Sequence, residues 1–153
     1  MKKTTIILFG ILSLFTGFLP EVKAQKHKAD DIIGIWFNEE RTAKIQIYNE
    51  GDHYFGKIAW LKVTLDTVTG KPRTDKYNPD PKLRDVPMIG LVIVKNFVFN
   101  GDDEWKGGTI YDTKNGKTYD SYMKFSSDTM LKLRGYIGIS LLGRTTYWFK
   151  TRL

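Results

Sequence analysis

Residues 42–62 read TAKIQIYNEGDHYFGKIAWLK, and this stretch decides the fold class. From residue 42 to residue 48, the apolar Ala43, Ile45 and Ile47 alternate with polar neighbours. This period of two is typical of a half-buried β-strand. Turn-forming residues occupy positions 49–52, and a second strand-like run follows at 54–62. The stretch therefore predicts a β-hairpin.

Similar runs recur along the chain about every ten residues, a spacing typical of an all-β barrel or sandwich. They lie at residues 117–125, 129–134 and 144–152, and Asn115-Gly116 between two runs is a strong hairpin signal. Residues 88–99 are nearly all apolar and predict either a doubly buried strand or a short core helix, with the Ile and Val content favouring strand. Gly90 indicates a bend or bulge there. The prediction is a single antiparallel all-β domain of about eight strands.

The first 24 residues have the three-part pattern of a secretory signal peptide. Two lysines precede an apolar stretch at residues 4–19, and Pro20 ends it. Small residues at Val22 and Ala24 predict cleavage after Ala24. We therefore expect a signal peptide at 1–24, a flexible leader at 25–31 and a barrel domain at 32–153. The protein would be exported to the periplasm or the outside, with no membrane span left after cleavage.

The segment 63–87 interrupts the strand pattern. It contains four of the five prolines, Pro72, Pro79, Pro81 and Pro87, so it cannot be central sheet. Connections of this length are uncommon in compact domains and are often functional, although the segment could equally be a cover over one end of the barrel. Because proline lowers the entropy of the unfolded chain, we expect this loop to pack on the barrel.

Motifs spread over nearly all of the chain after residue 33 resemble one known family. They are GIW at 34–36, IAWLK at 58–62, GKP at 70–72, TD at 74–75, NPDPKLR at 78–84, PMIGL at 87–91, WKGGTIYD at 105–112, GKTY at 116–119, LRGYIG at 133–138 and GRT at 143–145. In combination they resemble the small exported bacterial proteins grouped as domain of unknown function 2147.

The resemblance implies a lipocalin-like (calycin-type) β-barrel, and it implies no activity. In such folds a Gly-x-Trp motif opens the first strand, and a basic side chain from the last strand packs over the tryptophan. Gly34-Ile35-Trp36 matches that motif. We therefore expect Trp36 to be buried under a cation, with Arg152 as the first candidate and Lys150 as the second.

Catalytic and metal-binding patterns are weak. The chain has no cysteine and only two histidines, His27 in the predicted leader and His53 in a turn. No serine lies in a nucleophile elbow. Residues 102–104 are acidic but lack the spacing of a calcium loop. The sequence therefore assigns no catalytic residue, metal or cofactor, and nothing in it requires an enzyme. The net charge is +7, but the cations are spread along the chain, which argues against nucleic-acid binding.

Aromatic and basic residues within the motifs predict a binding module. The candidate ligand-binding residues are Trp60, Asp75, Asn78, Arg84, Tyr111 and Arg134. Arg84 is expected to point into a polar site or to pair with an acid such as Asp75 or Asp112. The favoured ligand is a small apolar or amphipathic molecule. The alternative is an envelope protein that contacts a partner protein or an anionic envelope polymer. The sequence leaves the oligomeric state open.

Overall fold

The computed structural model describes residues 27–153, which form an eight-stranded antiparallel barrel with each strand paired to the next. The strands are β1 (Gly34–Phe37), β2 (Ala43–Glu50), β3 (His53–Leu61), β4 (Val92–Phe99), β5 (Glu104–Asp112), β6 (Lys117–Ser127), β7 (Met130–Tyr136) and β8 (Arg144–Thr151). Pairing of β1 with β8 closes the barrel. The predicted all-β barrel is confirmed. The predicted signal peptide and its cleavage site lie outside the described residues.

Because consecutive strands are antiparallel neighbours, their connections alternate between two ends of the barrel. The β1–β2, β3–β4, β5–β6 and β7–β8 connections share one end, which we call the loop end. The chain enters β1 and leaves β8 at the other end, which we call the N-terminal end. No helix among residues 27–153 is long and apolar enough to cross a membrane.

Large inward-facing side chains fill the half of the barrel interior that lies nearest the N-terminal end. Trp36, Phe97, Trp105, Met123 and Leu131 are all fully buried. Trp36 and Trp105 contact further rings, and such pairs add stability beyond the area they bury. This half of the barrel is a packed core.

The segment before β1 closes the N-terminal end, where the sequence predicts a flexible leader. A 3₁₀ turn, Ala29–Ile32, places the fully buried Ile32 against the core. The indole Nε1 of Trp36 donates to the Ile32 carbonyl at 2.8 Å, and that of Trp105 donates to the Ala29 carbonyl at 3.1 Å. Residues 27–31 therefore pack on the barrel, since two buried indoles need acceptors that this turn supplies.

The expected cation over Trp36 is present, but the first candidate for it is wrong. Lys150 Nζ lies 5.6 Å from the Trp36 ring centroid, in the range of a cation–π contact. Trp36 and Lys150 are directly paired across β1 and β8. Arg152 lies beyond the end of β8, past the last pair with β1, so it is not held over the ring. The second candidate, Lys150, is confirmed.

Residues 88–99 are strand only in part. β4 begins at Val92, and Gly90 before it has φ 92°, a bend that glycine adopts without strain. Lys95, Asn96 and Val98 are exposed, so the alternative of a doubly buried strand is wrong. The cause is the barrel itself, because one face of every strand points outward to solvent.

Two glycines that face each other across β6 differ in the space around them. A Cβ on Gly108 would lie 2.2 Å from the Phe97 ring and 2.6 Å from the Lys95 carbonyl oxygen, whereas a Cβ on Gly135 would meet nothing closer than 3.6 Å. We expect Gly108→Ala to lower the free energy of unfolding by about 1–3 kcal/mol, because the core must shift. Gly135→Ala is the matched control and should leave stability unchanged or raise it by about 0.4–1 kcal/mol. Urea unfolding of both variants checks this, and equal midpoints would contradict the packing described.

Candidate functional site

A buried carboxylate fastens the long β3–β4 connection to the barrel. Asp75 is 1% exposed. Its Oδ1 accepts a hydrogen bond from the Tyr111 hydroxyl on β5 at 3.0 Å, and its Oδ2 accepts one from the Asn78 side-chain amide at 2.8 Å. Asn78 is also buried. We call Asp75, Asn78 and Tyr111 the Asp75 cluster. It joins two distant segments through bonds that are strong because the acceptor is charged.

Local turn chemistry builds the loop around this cluster. Asn78 Oδ1 accepts from the backbone N–H of Asp80, an Asx turn. Asp80 Oδ1 in turn accepts from the Lys82 N–H and caps the 3₁₀ turn Pro81–Leu83. Thr74 pairs with Pro87 as an isolated bridge farther along. The loop thus has its own hydrogen-bonded frame and packs on the barrel, as the sequence predicts.

Among the residues that the structure describes, Arg84 does not form an ion pair, one of the two arrangements predicted for it. Its Nε donates to the Asn78 carbonyl at 2.8 Å, and no acid within residues 27–153 lies within ion-pair distance of its guanidinium. Asp75 is already held by two neutral donors, so its carboxylate needs no cation. Arg84 therefore braces the turn beside the Asp75 cluster.

Trp60 and Arg134 lie apart from the cluster. Trp60 packs edge-on against Phe37 with ring centroids 6.0 Å apart, and Lys44 Nζ lies 5.5 Å from the Trp60 ring. Arg134 donates to the carbonyls of Ser140 and Leu141, each at 3.0 Å, in the β7–β8 connection. Of the six predicted site residues, the structure brings Asp75, Asn78 and Tyr111 into contact, with Arg84 adjacent.

Beside the Asp75 cluster, an open pocket of about 350 Å³ lies between the long loop and the β5–β6 turn. We call it the mouth pocket. Its charged lining residues are Asp66, Arg73, Lys76 and Lys114, and Met88 and Tyr77 also line it. Thr74 and Lys76, the two neighbours of Asp75, belong to its wall. The Asp75 cluster therefore positions this wall.

Of the basic side chains that line the mouth pocket, the two lysines form ion pairs within the described part of the chain and the arginine does not. Lys76 forms an ion pair with Asp66. The hydrogen bond from Lys76, together with those from the Thr69 and Val68 N–H groups, holds the pKa of Asp66 well below its usual range. Lys114 pairs with Glu40 at 3.0 Å and lowers the pKa of Glu40. Arg73 forms no ion pair with any residue of 27–153. An exposed, unpaired guanidinium leaves the pocket able to take an anion.

The sequence did not single out Arg73, Lys76 or Lys114. Each lies next to turn-forming residues, where a basic side chain is ordinarily a solvated surface group. Only the alternation of connections between the barrel ends brings residue 114 to the long loop. An up-and-down strand order places alternate connections at the same end of the barrel. That order would have predicted that residue 114 lies near the long loop.

Tyr111 gives the site a measurable pH dependence. Burial, followed by the hydrogen bond to Asp75, raises the pKa of Tyr111 to about 12. The unfolded chain releases this proton near pH 10 and the folded chain keeps it, so this contribution to stability is complete below about pH 10 and is lost as the pH rises to about 12.

We expect Tyr111→Phe to reduce the loss of stability between about pH 9 and pH 11, because the variant has no hydroxyl to ionise. At the lower pH the variant should be less stable, since Asp75 loses a donor. Urea unfolding midpoints at both pH values provide the measurement, with the exposed Tyr77→Phe as control. A variant with the same alkaline loss as the wild type would contradict the assignment.

Comparison with known proteins adds a family and a fold. The family model described as "Uncharacterized protein conserved in bacteria (DUF2147)" matches residues 34–150. No curated protein matches the chain. Among solved structures, HP1028 from Helicobacter pylori, described as belonging to the lipocalin family, is similar with a TM-score of 0.66 and 24% identity over 78% of this chain and 82% of that one. The barrel described above is thus lipocalin-like.

Proposed function

The chain belongs to the DUF2147 family of bacterial proteins, and we propose that it binds a small amphipathic anion in the mouth pocket. The unpaired guanidinium of Arg73 at this pocket is the observation that carries the proposal. A phosphate or carboxylate would accept bidentate hydrogen bonds from Arg73. Lys76 and Lys114 are already paired with Asp66 and Glu40, so Arg73 supplies the free positive charge.

The apolar part of the ligand would lie against Met88. This side chain lines the mouth pocket and also belongs to the hydrophobic core, so it connects the pocket to the barrel interior. The packed N-terminal half leaves the loop end as the place for a ligand. A volume of about 350 Å³ falls at the lower end of the range for small-molecule sites, which favours a short-chain ligand.

Calorimetric titration with decyl phosphate and with decanol tests the proposal. We expect decyl phosphate to bind more tightly than decanol, and Arg73→Glu to weaken decyl phosphate binding by at least about tenfold, the loss of one charge-assisted contact. Lys71→Glu is the matched control, because Lys71 lies in the same loop but does not line the pocket. Equal binding of the two probes, or equal effects of the two variants, would contradict it.

Contact with a partner protein or an anionic envelope polymer is the second candidate. Lys71, Lys82 and Arg84 are exposed on the long loop outside the pocket and favour it. Such contact would weaken with salt and would involve Lys71 as much as Arg73. The same pair of charge-reversed variants therefore separates the two candidates.

Export is part of the same proposal. The lysines, apolar stretch and small residues of 1–24 support cleavage after Ala24 and release into the periplasm or the medium. Cell fractionation with N-terminal sequencing provides the test. The expected mature chain begins at Gln25, and a cytoplasmic chain that retains Met1 or residues 2–24 would contradict export.

A further inference from the structure

The β7–β8 connection at the loop end exposes four aliphatic side chains within six residues. Residues 137–142 read IGISLL, and we call them the apolar loop. Ile137 is 67% exposed, Ile139 58%, Leu141 82% and Leu142 77%. Single exposed aliphatic residues are ordinary on a protein surface, but four within six residues mark an interaction site.

Most backbone carbonyls of the apolar loop are hydrogen-bonded within the protein. The Ile139 N–H donates to the Ile137 carbonyl at 3.0 Å, and the Leu142 N–H donates to the Ile139 carbonyl at 3.2 Å. Arg134 supplies donors to the Ser140 and Leu141 carbonyls. Four of the six carbonyls thus accept hydrogen bonds. Lipid chains offer no hydrogen-bond donors, so a backbone segment that enters lipid needs donors from its own protein. A protein partner, by contrast, could supply such donors.

The charge around the apolar loop suits an anionic surface. Arg134 on β7 and Arg144 on β8 are the cations beside the apolar loop, whereas Lys150 and Arg152 lie at the opposite, N-terminal end of the barrel. Glu39 accepts a hydrogen bond from Thr146, two residues after Arg144. Arg144 is exposed directly after the loop, and Tyr136 directly precedes it. An apolar tip with basic residues at its base and a nearby tyrosine is the pattern of segments that lie in a membrane interface.

We propose that the apolar loop inserts into the headgroup region of a bilayer that contains anionic phospholipid. Burial of the aliphatic side chains supplies the apolar part of the binding, and attraction of Arg144 to the lipid phosphates adds the electrostatic part. Because the mouth pocket opens at the same end of the barrel, a docked protein holds that pocket toward the membrane. The proposal itself does not depend on ligand binding.

Vesicle flotation tests this with the chain that begins at Gln25. That chain retains every described residue and lacks the apolar stretch 4–19, which would bind lipid by itself. The probes are vesicles of phosphatidylglycerol with phosphatidylcholine, and of phosphatidylcholine alone. We expect the wild type to float with the anionic vesicles, and the double variant Leu141→Ser, Leu142→Ser to lose at least about tenfold in partitioning. The matched control is Val98→Ser, Leu153→Ser, which removes two exposed aliphatic side chains elsewhere.

A fluorescent label reports insertion directly, because the chain has no cysteine of its own. An environment-sensitive dye on Leu142→Cys should shift to shorter wavelength and gain intensity with anionic vesicles, while the same dye on Leu153→Cys should not. Equal partitioning of the two double variants, or a Leu142 label that stays in water, overturns the proposal. A third outcome also overturns it: the wild type is a dimer that does not bind vesicles, and the Leu141→Ser, Leu142→Ser variant is a monomer. A second copy of the chain would then cover the loop.

Discussion

Replacing Trp36 with alanine is expected to lower the free energy of unfolding by about 3–5 kcal/mol, the usual cost of truncating a buried aromatic residue. The ring is fully buried and lies 5.9 Å from the Phe125 ring, centroid to centroid. Its indole N–H also holds the Ile32 carbonyl of the turn that closes the N-terminal end. The variant therefore leaves a cavity in the core and also loses the hydrogen bond that holds the turn at the N-terminal end. Equilibrium urea unfolding, followed by far-ultraviolet circular dichroism, measures the effect.

Trp60→Ala is the control for that prediction. Trp60 is only half-buried and packs on the outer face of the barrel, against Phe37 and Lys44. Its removal leaves no interior cavity, and we expect a loss of about 1 kcal/mol. If Trp60→Ala destabilised the protein as much as Trp36→Ala, the assignment of inner and outer faces would be contradicted.

Asp75→Ala is expected to lower the free energy of unfolding by about 2–4 kcal/mol, because the Tyr111 hydroxyl and the Asn78 amide lose a buried acceptor. Asp75→Asn keeps the volume and one acceptor oxygen, but its amide N–H₂ then faces a donor. We expect it to lose about half as much.

The two Asp75 variants should also loosen the long loop. Hydrogen exchange should become faster across residues 74–86, whose N–H groups bond mostly within the loop, with little change in β6 or β7. In the wild type the same amides should be protected, as the loop prediction requires. Unchanged exchange in Asp75→Ala would show that the carboxylate does not fasten the loop.

The strand pattern predicted the barrel because each strand has one buried face, and alternation reports that face directly. The alternation does not predict which way Trp60 faces. Lys44 pairs with Trp60 while the next residue, Ile45, pairs with Ile58, so Ala59 is bulged out and the alternation shifts phase. A bulge of one residue has no sequence signal here. The assignment of Trp60 to a ligand site stays a prediction, and the ring lies on the outer face.

The sequence predicted Asp75, Asn78 and Tyr111 as ligand-binding residues. The structure places them in contact with one another through Asp75, and ligand binding by them stays a prediction. Arg134 was predicted for the same site, but it donates to the Ser140 and Leu141 carbonyls and to the Thr145 hydroxyl. Carbonyl partners give no sequence signal, because every residue has a carbonyl.

The mouth pocket depends on how two connections pack on one another. Tyr77 lies so close to Gly116 that a Cβ there would come within 1.9 Å of the Tyr77 carbonyl oxygen. No local pattern in either segment encodes that approach.

The pairing of β1 with β8 constrains when the protein can fold. Trp36 pairs with Ile45 nearby and with Lys150 at the far end of the chain, so the barrel has an open seam until the last strand has been synthesised. Contacts between such distant residues form slowly, because the whole intervening chain must first be ordered. Without β8, β1 and β7 would each keep one unpaired edge. The barrel can therefore close only once β8 is available to pair with β1.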